Sequence, residues 1–446
     1  MLIRFAVENY KSFKEQQVFS MVAGKQTRHS SHYFTAKGKR ILKTSFFFGA
    51  NASGKSNFVR ALDFMRIITL GGTDYIKHDD RYFRIDEEYK EKPGVFQMDF
   101  IAENKVYSYG FAINYLTQKI CAEWLYRIDS EEKEVCIFER EGKETKTSLA
   151  LKNMSKMRFE IYSADLQENK LFLADIATKN LDKETDFEDF LVAFNWFKKL
   201  IVVYPDYRTI NKNDFFLNSA TNIEAMANLL RGFDTGIENI RKRKQPVVKA
   251  LSFLKDDVRN RVLNKLEQQM HRKHSSGEHC MLEIGDYQFD VYLEDDQIFA
   301  EKIMLDHGNP LELFELSDES DGTKRLFDLV PLYEMGQDDK IIIIDELDRN
   351  FHSKLTEEYI RLFFEITKGK NSQLICTTHD LNLMDLNILR QDEIWFVERS
   401  FDHSSNIYSL SNFKERFDKN VLKDYIIGRY GAIPCFRESE LQVDYE

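Results

Sequence analysis

Residues 45–57 read SFFFGANASGKSN, and within them Gly49, Gly54, Lys55 and Ser56 fill the spacing G-x-x-x-x-G-K-[ST]. That spacing has a specific chemistry. Glycines let the backbone wrap a phosphate chain with its N–H groups, and a helix N-terminus adds partial positive charge at the same place. Lys55 would reach the β- and γ-phosphates of a nucleotide, and the Ser56 hydroxyl would hold Mg2+. The apolar run Ser45–Phe48 predicts a buried strand before the loop, and Phe58, Ala61, Leu62, Met65 and Ile68 recur at helical spacing after it. A plain glycine-rich turn needs neither neighbour, so the loop reads as a P-loop.

Such a loop needs a carboxylate to hold the metal, and KIIIIDELD supplies one. The isoleucines 341–344 suit a strand buried on both faces, and Asp345 stands at its carboxyl end, where ligand clefts of α/β sheets open. Glu346 follows and is positioned to polarise a water for attack on the γ-phosphate. The competing reading of this pair is a helix cap after a strand. Farther on, QLICTTHDLNLMD repeats the design: Leu374–Thr377 predict another short strand and His379 falls just past it. A lone histidine is more often structural, but the place after a strand in the same cleft favours a γ-phosphate sensor.

A second small turn, Ser320-Asp321-Gly322-Thr323, precedes the apolar positions Leu326 and Leu329. Ser320 or Asp321 can cap a helix there, and a capped, open N-terminus is also an anion site. Because Lys55, Ser56, Asp345 and Glu346 already serve one nucleotide, this turn makes best sense facing the phosphate of a second copy of the chain.

Taken in order, GANASGKSN, SDGTKR, IIIIDELD and CTTHD resemble the Walker A, signature, Walker B with D-loop, and switch-histidine motifs of ABC-type ATPase heads. The opening IRFAVENYKSF resembles SMC, RecF and OLD-like ATPases, and EIWFVERS with GRYGAIP resembles the AAA-class ATPases of bacterial anti-phage and abortive-infection (PARIS-like) loci. The resemblance implies an α/β fold: a P-loop NTPase of ABC-ATPase type, with a mixed central sheet, an antiparallel β subdomain and a helical insertion. It implies ATP and Mg2+ as cofactors. It assigns Gly49, Asn51, Gly54, Lys55, Ser56 and Asn57 to the nucleotide, Ser56 and Asp345 to the metal, Glu346 as hydrolytic base and His379 as sensor. Ser320 and Gly322 would bind the γ-phosphate in trans, and Asp348 would couple the two sites of a homodimer or higher homo-oligomer. Asp321 and Thr323 depart from the usual signature, which has a second glycine and a glutamine there. Gln167 is the candidate metal-facing Q-loop residue, with Gln97 as competitor, and Glu8–Phe13 are expected to border the adenine or to form an edge turn. Two-gene systems of this kind imply a separate effector, such as a TOPRIM-like nuclease encoded nearby, and a phage protein as trigger.

The elements that must position these groups fall into three stretches. Residues 1–174 predict a strand-rich lobe with the P-loop, including VFQMDFIAENKVYSYGFAINY as a hairpin turning at AENK. Residues 175–280 change to helical spacing and charge and predict a helical insertion, too broken for a long coiled coil. Residues 281–446 return to strands with the signature, Walker B and His379, and leave no room after GRYGAIP for a nuclease domain, so an effector is expected to act in trans.

A net charge of −11 does not offer the field that indiscriminate DNA binding uses, which disfavours the alternative of a RecF- or SMC-like DNA-binding repair ATPase. The basic run Arg241–Lys244 reads as a solvated helix face, or as a patch for nucleic acid or an acidic partner. His271, His274, His279 and Cys280 match no standard zinc spacing. Scattered cysteines and the lack of a run approaching the roughly 20 apolar residues of a membrane helix predict a cytoplasmic protein without a membrane partner. The high count of Phe (36) and Tyr (20) is expected to be core material.

Overall fold

The computed structural model describes residues 1–73, 81–128, 133–179, 181, 185–205, 220–272, 279–284, 287–336, 339–413, 416 and 419–434. The chain divides into two compact units, Met1–Tyr207 with Met335–Glu446, and Arg208–Glu334. Each is described by itself.

The first unit opens with β1 (Leu2–Glu8), β2 (Gln17–Ser20), the hairpin β3 (Tyr33–Ala36) and β4 (Lys39–Leu42), and the fully buried β5 (Thr44–Phe48), which leads to helix α1 (Lys55–Gly71). Strands β6 (Gly94–Ala102), β7 (Lys105–Asn114), β8 (Lys119–Ile128), β9 (Glu134–Glu141) and β10 (Glu144–Lys146) join the first two in an antiparallel sheet of order β10-β9-β8-β7-β6-β1-β2. The AENK turn falls where expected: Glu103 and Asn104 both take positive φ, 47° and 58°, the geometry that matches the twist of a two-residue hairpin. Helices α2 (Asn153–Ala164), α3 (Phe172–Ala177) and α4 (Glu188–Phe197) then lead to β11 (Leu200–Val203).

The second unit holds α5 (Ala220–Gly232), β12 (Asn239–Pro246), α6 (Val247–Ala250), α7 (Asp256–Arg272), β13 (His279–Ile284), β14 (Tyr287–Glu294), β15 (Gln297–Asp306), β16 (Leu313–Phe314) and α8 (Asp321–Leu329); α9 (Pro331–Gly336) carries the chain back. Its sheet runs β12-β15-β14-β13, with β16 on β15. The first unit resumes with β17 (Ile341–Ile344), α10 (Ser353–Ile366), β18 (Gln373–Thr377), β19 (Ile394–Arg399), β20 (Ser405–Ser409) and α11 (Val421–Ile426). Its central sheet has the order β11-β17-β18-β5-β19-β20, parallel except for β20. The strands carrying IIII, TSFFF and QLICT are buried throughout, as continuous apolar runs of a covered parallel sheet must be. The first unit is thus α/β, a covered and nearly parallel sheet beside an antiparallel one, with the glycine loop between β5 and α1.

The division differs from the three stretches read from sequence. Residues 175–207 belong with the P-loop unit, and β11 is the edge of its central sheet. Residues 281–334 belong with the second unit, which has a five-stranded sheet as well as the expected helices. The basic run Arg241–Lys244 is not a helix face but lies in edge strand β12. Arg241 pairs with Asp306, Lys242 with Glu301 and Lys244 with Glu294, so acidic partners across the sheet decide the conformation over local charge spacing.

An aromatic cluster fixes α1 between the two sheets of the first unit. Phe58 of α1 lies 4.3 Å from Phe47 of β5, 5.4 Å from Phe19 and 5.8 Å from Phe5, while Phe19 meets Trp395 of β19 at 5.1 Å between ring centres. Gln373 adds a polar pin. Its Oε1 accepts from Leu2 N at 2.6 Å, and its Nε2 donates to the carbonyls of Leu2 and Leu42 at 3.0 Å each. Glu123 of β8 is fully buried, accepts from Phe172 N and Leu173 N at the start of α3 and from Tyr109 Oη, and faces Arg140 at 3.8 Å. Burial pushes its carboxyl up to about 7 against those favourable partners.

Candidate active site

The glycine loop between β5 and α1 is shaped by its neighbours. A Cβ on Gly49 would stand 2.2 Å from Val397 O, and one on Gly54, whose φ is 114°, would stand 2.3 Å from Ser405 Oγ and 2.9 Å from Ser12 Oγ. Only glycine lets the loop pass there. Asn57 Nδ2 donates to Ser12 Oγ at 2.8 Å, Ser405 N donates to Ser12 O at 2.7 Å, and Ser405 Oγ donates to Ser53 O at 2.5 Å. The ENYKSF turn therefore abuts the start of α1, with Asn9 buried and at positive φ.

Lys55 is buried, and its Nζ donates to Gly49 O at 2.7 Å and Ala50 O at 3.1 Å. Burial holds its pKa down to about 8, with Asp345, Glu346 and Asp348 pulling the other way. Ser56 Oγ donates to Asp345 Oδ1 at 3.2 Å. β18 separates β5 from β17, and its last residue ties the two sides together: Thr377 Oγ1 donates to Asp345 Oδ1 at 2.7 Å and accepts from Glu346 N at 2.8 Å. Glu346 itself sits at φ 54°, a sparsely populated conformation for a non-glycine residue that these contacts hold in place. Both oxygens of Asp348 accept from His379 N, at 3.0 and 3.1 Å. The His379 pKa is lowered, by desolvation first and then by Lys55.

The residues fit a magnesium-bound triphosphate. Helix α1 presents first-turn amides that no intrahelical acceptor can reach. The buried Ser53 Oγ has no partner among the described residues. The Ser56 hydroxyl and Asp345 carboxylate are hard oxygen donors side by side, of the kind Mg2+ takes alongside phosphate oxygens. Among the described residues no group of three or more His, Cys, Asp or Glu could hold a metal by itself; His274 lies outside the described residues. A cleft of about 550 Å³ opens beside the loop, lined by Gly49, Ala50, Asn51, Ser53 and His379 on one side and by Glu398, Arg399 and Ala432–Pro434 on the other.

The structure thus brings Gly49, Asn51, Gly54, Lys55, Ser56, Asn57, Asp345, Glu346, Asp348 and His379 to the carboxyl ends of β5, β17 and β18. Gln167 is placed differently: it is exposed between α2 and α3, and its carbonyl accepts from Lys170 N at 3.0 Å. Gln97 is engaged within the antiparallel sheet, where its Nε2 donates to Asp99 Oδ1 and Ser108 Oγ at 3.0 Å each. In the second unit, Ser320 caps α8. Its Oγ accepts from Thr323 N at 3.1 Å, and Gly322 lies in the helix's first turn. Sequence reasoning missed Thr377 and Ser53, although both sit inside the quoted motifs. It also missed the contact of GRYGAIP with the loop, where Ala50 N donates to Ala432 O at 3.0 Å.

No helix among the described residues is long and apolar enough to cross a membrane. No curated protein matches the chain. Among solved structures it is similar to the SMC head domain from Thermotoga maritima, at 14% identity over 92% of this chain and 98% of that one, TM-score 0.36. It is also similar to an SmcHead bound to the C-winged helix domain of ScpA, at 14% identity over 92% and 97%, TM-score 0.37. A third likeness is the Smc head domain with an extended coiled coil bound to the C-terminal domain of ScpA, derived from Pyrococcus furiosus, at 13% identity over 92% and 96%, TM-score 0.35. The profile of a family described as "AAA domain, putative AbiEii toxin, Type IV TA system" matches residues 45–385, from the strand before the glycine loop to just past His379. The chain belongs to that family of AAA-domain ATPases.

Proposed function

We propose that the chain is an ATP-driven switch: ATP binding closes a head dimer, hydrolysis reopens it, and a separate effector is held or released accordingly in anti-phage defence. The observation that carries the reading is the Thr377 hydroxyl joining Asp345 to the backbone of Glu346 beside Ser56. Lys55 and the α1 amides would hold the phosphates, and Ser56 and Asp345 the metal. Mg2+, when bound, supplies charge neutralisation at the phosphate oxygens. Glu346 orients and deprotonates the attacking water, and His379, kept near neutral charge and held by Asp348, donates to the γ-phosphate. Ser320 and Gly322 present a capped helix start to the nucleotide of a second copy. A nuclease of TOPRIM type as effector and a phage protein as trigger rest on the sequence resemblance alone. The DNA-clamp alternative loses support, because Arg241, Lys242 and Lys244 are paired with acids of their own sheet.

Light scattering with a phosphate-release assay tests the trans arrangement. ATP with Mg2+ is expected to double the mass of the wild-type chain. Ser320→Arg is expected to bind ATP, stay monomeric and lose most of its hydrolysis, because closure precedes chemistry. A Ser320→Arg chain that dimerised and hydrolysed normally would leave the turn as a helix cap only.

A further inference from the structure

We propose that the C-terminal turn Gly428–Pro434, latched by Glu398, is a positioning element of the nucleotide loop and sets how tightly that loop holds ATP; this rests on the ATPase reading above. Ala432 connects the two. Its N–H donates to Glu398 Oε1 at 3.0 Å, and its carbonyl accepts from Ala50 N at 3.0 Å and from Tyr425 Oη at 2.8 Å. Ala50 is the second residue of the loop, and its own carbonyl accepts from Lys55 Nζ and from Ser53 N. The Ala50 N–H belongs to the Gly49–Ala50 peptide, whose carbonyl accepts from Lys55 Nζ at 2.7 Å, so a shift of Ala432 moves a peptide on which the phosphate-binding lysine rests.

The turn is built for this place. Ala432 takes φ 55°, a conformation an alanine keeps only when its surroundings impose it. Gly431 passes so close to Glu398 that a Cβ would stand 2.6 Å from its Oε1 and 2.7 Å from Tyr408 Oη. Tyr408 Oη bridges Glu398 Oε2 at 3.1 Å and Tyr430 O at 2.7 Å. Phe396 stacks on both Tyr425 and Tyr430, with ring centres 5.6 and 5.7 Å away. Glu398 is the penultimate residue of β19, the strand beside β5, so the latch refers the loop to the central sheet.

The test is steady-state hydrolysis of Mg-ATP by the full chain, read as KM and kcat separately, with thermal midpoints alongside. Glu398→Ala and Gly431→Ala are expected to raise KM about 10-fold, the scale of one hydrogen bond to a charged group, with kcat within about 2-fold of wild type. Glu398→Gln is expected to keep a wild-type KM. Its oxygen still accepts from Ala432 N, and its amide can donate to Tyr408 Oη while that hydroxyl donates to Tyr430 O. A wild-type KM in Glu398→Ala, or equal damage in the Gln and Ala chains, overturns the proposal. So does a loss confined to kcat and thermal midpoint, which is what a merely structural role would give. Wild-type hydrolysis by Lys55→Ala in the same assay would instead sink the ATPase reading itself.

Discussion

A Glu346→Gln chain is expected to bind ATP about as well as wild type and to hydrolyse it about 10³-fold more slowly, the middle of the range for removing a general base. The side chain changes by one group, and the backbone contact that holds residue 346, its N–H to Thr377 Oγ1, is untouched. Only the capacity to take a proton from water goes. The ATP-bound dimer should therefore persist, and single-turnover phosphate release is the measurement. Hydrolysis within a few-fold of wild type would mean that the base is another residue, and the assignment of Glu346 would be wrong.

Stability should depend as sharply on a group far from the nucleotide. Replacing Glu123 by Ala removes the acceptor for two amides at the start of α3 and leaves the buried Arg140 without its carboxylate, a loss of about 3–5 kcal/mol. The same residue gives a pH signature. Its folded pKa is raised from 4.5 to about 7, so between those values the native state binds a proton that the unfolded chain has released. Its contribution is thus most favourable below pH 4.5 and declines by about 3 kcal/mol as pH rises to 7, then levels off. Glu123→Gln carries no such proton. Urea unfolding at pH 4.5, 6 and 8 should show the wild-type minus Gln difference falling across that window. A flat difference would show that Glu123 is ionised throughout.

The nucleotide loop was legible because its signal is local. Glycines, lysine and serine at fixed spacing, between an apolar strand and a periodic helix, need no distant partner to be read. The isoleucine strand and the AENK hairpin were legible for the same reason. What escaped depends on pairing across the chain. Leu200–Val203 is strand rather than part of a helical insert because Ile341–Ile344 lies beside it. Residues 239–246 are strand because β15 lies beside them, with Asp306 and Glu301 diagonal to Arg241 and Lys242. The turn at 428–434 acquires its place through distant partners, among them Ala50, Glu398 and Tyr408. Gln167 stands before a helical run, and no local pattern says which way a loop glutamine points.

Gln373 gives β18 two memberships. The carboxyl end of β18 carries Thr377 and leads to His379, while its first side chain is bonded into the opening strand of the antiparallel sheet. The two sheets of the first unit consequently share a hydrogen-bonded seam. Local opening that frees Leu2 also strips a buried amide of two of its three partners at the root of the strand whose Thr377 contacts Asp345 and Glu346. The antiparallel sheet is then part of the same cooperative folding unit as β18, and opening of β1 is expected to register as looseness at Thr377 and its contacts to Asp345 and Glu346.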